Sequence, residues 1–108
     1  MNPEEIEEML GKMEIPYRYN HFTQKEMETI SLPILVWNIP ETKNFYADGI
    51  AYYVVRKLDI ELYMDEKNRE LEKRLEALLD ENNIPWRQTA SEWLDSENMW
   101  ESLYEMEV

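Results

Sequence analysis

The apolar positions change period along the chain, and each change marks a predicted element. Ile6, Met9, Leu10 and Met13 recur at three- and four-residue intervals, the spacing that lines one face of a helix. Asn2 supplies a cap, Pro3 suits the first turn, and Glu5 stands where a capping box needs its carboxylate. Gly11 and Pro16 end the run. Tyr17 to Phe22 is expected as a short strand, and the polar stretch from Thr23 to Ser31 as a loop. Leu32 to Ile39 is the most hydrophobic run; its length and β-branched content favour a buried strand. Pro33 fits only its start or an edge, and Pro40 is expected to end it.

Strict alternation follows. From Ile50 to Tyr63, Val54, Leu58, Ile60 and Leu62 share one face with Arg56, while Val55, Lys57, Asp59, Glu61 and Tyr63 share the other. The intervening segment, Pro40 to Gly49, is expected as a loop or hairpin with its tight turn at Asp48–Gly49. The period returns to helical over Glu66 to Glu81, where Leu71, Leu75, Leu78 and Leu79 form a stripe among charged residues. Asp65 is the expected cap, and Asn82–Asn83 the stop. Ile84 to Trp93 and Met99 to Val108 complete the pattern as strands, with a turn at Asp95–Ser96. The elements predict one α+β domain spanning residues 1–108, an antiparallel or mixed sheet of about four to five strands with two helices packed on it.

Charge narrows the partners. The chain of 108 residues carries 24 acidic and 11 basic side chains, a formal net charge of −13. Such a field repels phosphate backbones and disfavours anionic membrane surfaces. There is no cysteine, so disulfides, thiolate chemistry and cysteine-based metal sites are excluded. The N-terminal MNPEEIEEML lacks the basic and apolar regions of a signal peptide, and no apolar run reaches a membrane span. Folding in a cytoplasm is expected.

Catalytic chemistry is sparse. His21 is the single histidine, without the HExxH spacing of a metal site. No hydroxyl residue sits in GxSxG, and Gly11 and Gly49 are too few for a phosphate-cradling loop. Acidic pairs are plentiful, but nearly all fall on expected helix surfaces or alternating strand faces, where solvation explains them. Asp59, Glu61, Asp65 and Glu66 lack the regular ligand loop of a calcium site. No catalytic, cofactor or metal residue is therefore expected, and the chain is not expected to be an enzyme. The four tryptophans and seven tyrosines carry more information, because such rings are enriched where proteins meet. Alternation singles out Tyr63 and Trp93 as exposed rings.

The loop NFYADG at Asn44–Gly49, the stretch LDIELYMDEKNRELEKRLEALLDENNIPW at Leu58–Trp86 and the closing SEWLDSENMWESLYEMEV at Ser91–Val108 together give the chain a family likeness. It resembles small structural proteins of the head–tail modules of tailed bacteriophages and prophages, and most of all the tail terminator, or tail-to-head joining, proteins. The resemblance implies a virion protein assembled in the host cytoplasm. It implies a ring, usually a hexamer, that caps the tail tube and docks it to the head. The implied partners are other copies of the chain, the tail tube protein and a head-completion protein; DNA passes through without specific binding. The acidic excess suits a DNA conduit. The loops from Asn20 to Ser31 and from Pro40 to Gly49, with His21, Phe22, Phe45 and Tyr46, are the expected contacts to tube or head, ordering on binding. Tyr63 and Trp93 join them as interface candidates. A head-completion or minor capsid protein, and an acidic prophage-encoded binding module such as a DNA mimic or inhibitor, are the alternatives.

Overall fold

The computed structural model describes residues 1–47 and 49–108; for residues 47, 50, 51 and 52 the backbone alone is described. The chain order is α1 (Pro3–Gly11), β1 (Tyr17–Tyr19), α2 (Gln24–Met27), β2 (Ile34–Ala47), β3 (Ile50–Met64), α3 (Arg69–Glu81), β4 (Trp86–Leu94) and β5 (Met99–Glu107). The strands form one mixed sheet in the order β1-β2-β3-β5-β4, and the fold is of the α+β class. Only β1 and β2 run parallel.

α1 begins as its sequence demands. The Asn2 side chain accepts from the Glu5 amide at 2.8 Å, and the Glu5 carboxylate accepts from the Asn2 amide at 2.9 Å. That reciprocal pair satisfies two otherwise orphaned donors. α1 and α3 lay their apolar stripes on the same face of the sheet. Ile6, Met9 and Leu10 from α1 and Leu75 and Leu79 from α3 meet Leu35, Leu58, Ile60, Leu62 and Tyr104 from the strands. The alternation in β3 thus sorts as expected, with Leu58, Ile60 and Leu62 inside and Asp59, Glu61 and Tyr63 on the opposite, back face. Val54 departs from it: it lies beyond the helices' reach and is exposed.

β2 and β4 start two residues later than expected, at Ile34 and Trp86, and four larger departures each have a local reason. α3 starts at Arg69, and its cap is Asn68, whose side chain accepts from the Leu71 amide at 3.1 Å, rather than Asp65. Thr23 to Ser31 contains α2 rather than being a loop throughout, because Thr23 and Glu26 form a second capping box. β1 stops at Tyr19, before Asn20 takes φ +67°. Pro40 does not end β2: it sits in a register shift between Asn38 and Glu41, where a missing N–H costs no ladder bond. β2 therefore runs on to Ala47, and the expected Pro40–Gly49 loop is mostly strand. Of the expected Asp48–Gly49 turn, Asp48 lies outside the described residues, and Gly49 has φ +76°.

The stop at Asn82–Asn83 has the expected place. Asn83 takes φ +57°, its amide bonds the Asp80 carbonyl, and the Ile84 amide reaches back to the Leu79 carbonyl, both at 3.0 Å. This is a Schellman closure, with Ile84 and Leu79 both in the core.

Candidate functional site

Three features fall outside simple core packing. The first lies between α3 and the sheet. Glu72 is 0% exposed and Glu76 is also buried, so these two are not part of a solvated helix face, contrary to the sequence expectation for the acidic residues. Glu72 accepts from Ser102 Oγ at 2.5 Å and from Gln88 Nε2 at 2.9 Å, and Glu76 accepts from Tyr104 OH at 2.6 Å. Arg69 spans both carboxylates at 3.3 and 3.0 Å, and Lys67 stands 3.4 Å from Glu72. Burial pushes the Glu72 carboxyl up, but the bonds from Ser102, Gln88 and Arg69 and the field of Lys67 outweigh it and hold it below the ordinary value. Burial and the Glu76 carboxylate raise the Tyr104 hydroxyl far above the ordinary tyrosine range. Every oxygen of the two carboxylates has a partner, so the arrangement is a satisfied polar clamp. A cavity of about 470 Å³ opens beside it along Met64 to Leu71. Its cations Lys67 and Arg69 already turn to Glu72 and Glu76.

The second feature is a groove of about 380 Å³ on the back face, at the end of the sheet where β2 begins and β3 ends. Phe22, Ile34 and Val36 form a small apolar cluster there, with Met27, Ile30, Leu32 and Tyr63 against it. Asn20 to Phe22 form one wall, and Leu94, Glu97 and Met99 at the β4–β5 turn the other. Glu61, Glu97 and Glu101 line the rim. Tyr63 OH donates to Glu61 Oε2 at 2.5 Å. Among the described residues no lysine or arginine pairs with Glu61, Glu97 or Glu101. Burial pushes the Glu101 carboxyl up; the Tyr63 bond opposes it, and Glu61, Glu92 and Glu97 add to the rise. Like charges continue down this face. Glu92 stands opposite Glu101, and Asp59 opposite Glu105. Asp59 Oδ1 is buried without a hydrogen-bond partner; burial, then Glu105, raise its carboxyl.

The third feature is an arm. β5 pairs β3 only from Lys57 to Met64, and β1 pairs β2 only from Leu35 to Trp37. Lys57, opposite Glu41, still pairs with Glu107, and Arg56, opposite Thr42, exchanges backbone hydrogen bonds with Val108, so β2 and β3 pair with each other alone from Lys43 onward. Phe45 and Tyr53 stack across this hairpin at 4.7 Å between ring centroids. Phe45 is 43% exposed, Tyr53 54% and Tyr46 65%.

The six interface candidates divide between these features. Phe45 and Tyr46 lie on the arm, and His21, Phe22 and Tyr63 meet in the groove. Phe22, expected as a loop contact, is buried, and Tyr63 is half-buried rather than the exposed ring that alternation suggests: the Asn20–Ile30 segment folds over the back face, packing Phe22 on Ile34 and Val36 beside Tyr63. The two segments expected to order only on binding already hold α2 and the outer length of β2. Trp93 stands apart on edge strand β4, exposed and opposite Trp100. Sequence reasoning missed Glu97 and Glu101 as rim residues. The signal was the strand pairing itself, which places Glu92 and Glu101 face to face.

Among the described residues no three histidine, aspartate or glutamate side chains cluster as a metal ion would need, and no helix is long and apolar enough to cross a membrane. No family model matches the chain, and no curated protein matches it significantly.

Proposed function

We propose that the protein is an assembly subunit of the tail-terminator kind: it joins other copies in a ring that caps a phage tail tube and docks it to the head. One observation carries the reading. The β2–β3 arm pairs with no third strand and bears exposed aromatic side chains. A two-stranded hairpin is marginally stable alone in water, and exposed rings on it are costly unless a partner covers them. An arm and a groove on one subunit also supply the two unlike surfaces that a heterologous interface needs. The net charge of −13 adds support, since a ring around DNA gains from an acidic lumen that does not hold the duplex.

Size-exclusion chromatography with light scattering, with and without assembled tail tube protein of the same genome, tests the proposal. A discrete ring, alone or on the tube end, is the expected result. A chain that stays monomeric and ignores the tube would overturn it. The opposed carboxylates of the back face favour one other reading, a monomeric binding module for a basic protein. That reading predicts the monomer in the same experiment.

A further inference from the structure

The arm and the groove are each incomplete, and they are incomplete in opposite senses. The arm is a projection that nothing covers; the groove is a recess whose rim acids lack cations among the described residues. They lie at opposite ends of the molecule. β3 runs through both, entering in the arm and leaving at Tyr63 in the groove. Its 15 residues, at about 3.3 Å each, match the 51 Å long axis. The arm of a chain therefore cannot fold back into its own groove.

Charge selects what fits. In a chain of net charge −13, the stretch from Glu41 to Lys57 is a local exception, with Lys43, Arg56 and Lys57 against Glu41 and Asp48. Lys57 is held by Glu105 at 3.1 Å at the root of the arm, whereas Lys43 is exposed further out and only 4.0 Å from Glu41. Lys43 lies two residues from Phe45 and pairs with Val55, two residues from Tyr53. Alternation thus puts the weakly held Lys43 on the same arm face as the stacked rings. The groove offers the reverse image, an apolar floor of half-buried Met27, Tyr63, Leu94 and Met99 around the buried Phe22, Ile34 and Val36, rimmed by Glu97 and Glu101.

We propose that the arm of one copy seats in the back-face groove of a second copy, its aromatic pair on the apolar floor and Lys43 against the acidic rim. The inference rests on that part of the proposed function in which copies of the chain join. It adds which surfaces meet and in what direction. The contact is head-to-tail, so each copy uses its arm on one neighbour and its groove on the other, and successive copies close into a ring or extend as a filament. It also gives the rim carboxylates a role, since like charges across strands destabilise the sheet unless a cation relieves them.

The absence of cysteine makes the test direct. Tyr46→Cys and His21→Cys alter exposed side chains on arm and groove wall. Mixed and mildly oxidised at a concentration where light scattering shows association, they are expected to give a disulfide-linked dimer. Tyr46→Cys mixed with Glu81→Cys, on the helix side, is expected to give little. Separately, Lys43→Glu and Glu97→Lys, both exposed positions, are each expected to weaken self-association several-fold, and their combination in one chain to restore it. Association without the arm-to-groove link, or without rescue by the charge exchange, would overturn this inference and leave the ring reading standing. No association at any concentration would overturn both.

Discussion

Glu72 is the residue whose chemistry departs furthest from its surroundings. A carboxylate at 0% exposure is tolerated because Ser102, Gln88, Arg69 and Lys67 surround it. Glu72→Ala would leave the Ser102 hydroxyl and the Gln88 amide without their acceptor, and we expect a loss of about 3 kcal/mol in urea unfolding. Glu72→Gln should cost less, because it keeps an acceptor. The sign of the pH effect follows from the lowered carboxyl: its contribution is complete above the ordinary glutamate value of 4.5 and disappears as pH falls through the depressed one. Asp59 has the opposite sign. Its raised carboxyl charges at a penalty, so stability falls as pH rises through the raised value. Asp59→Asn should therefore stabilise at neutral pH by a few tenths of a kcal/mol, the size of a like-charge cross-strand pair, and change nothing in acid. Unfolding curves of the two variants at pH 7 and pH 3 check both signs. Neither residue's state was legible in the sequence. Glu72 sits among charged helix residues, and only the pairing of Ser102 beneath it distinguishes it. Asp59 reads as one more outward side chain of an alternating strand.

Elements were more legible than residues wherever one local rule decided them. α1 begins on the Asn2–Glu5 pair and α3 ends on Asn82–Asn83 as the sequence indicates, because caps and left-handed asparagines act within a few residues. α2 carries the same signal, Thr23 with Glu26, yet four residues without an apolar stripe give no period to detect. The start of α3 was displaced because Asp65 and Asn68 are both competent caps, and the structure places Asn68 against the Leu71 amide. Asn68→Ala is accordingly expected to lower stability by about 1 kcal/mol, and Asp65→Ala to leave it within error. Thermal unfolding of the pair decides between the two caps. Pro40 misleads for a different reason: a proline stops a regular ladder, but a register shift removes the demand for its N–H.

At the scale of the molecule, what matters is the disparity between a well-covered body and an uncovered arm. The body closes two faces, α1 and α3 over one and the Asn20–Ile30 segment over part of the other. β2 and β3 outrun that cover. A chain selected only to fold would have no use for the extension, because each added pair exposes rings without adding a core neighbour. Removing it should therefore leave folding intact and abolish assembly. Arg56 gives its backbone bonds to Val108, so the adjacent pair Lys43–Val55 is the hydrogen-bonded one, and replacing Asn44 to Val54 by Asn-Gly joins Lys43 to Val55 through a two-residue turn suited to the twist of the strands. The shortened chain should keep its circular dichroism and its unfolding midpoint to within a few degrees, since no described side chain of the arm belongs to the main core. In light scattering it should stay monomeric at concentrations where the full chain associates, and it should fail to bind tube ends. A shortened chain that still forms the same assembly would place the joining surface elsewhere, with Trp93 on the open edge of β4 as the next surface to mutate. A shortened chain that unfolds would instead make the hairpin part of the folding unit, against the pairing that confines its contacts to itself.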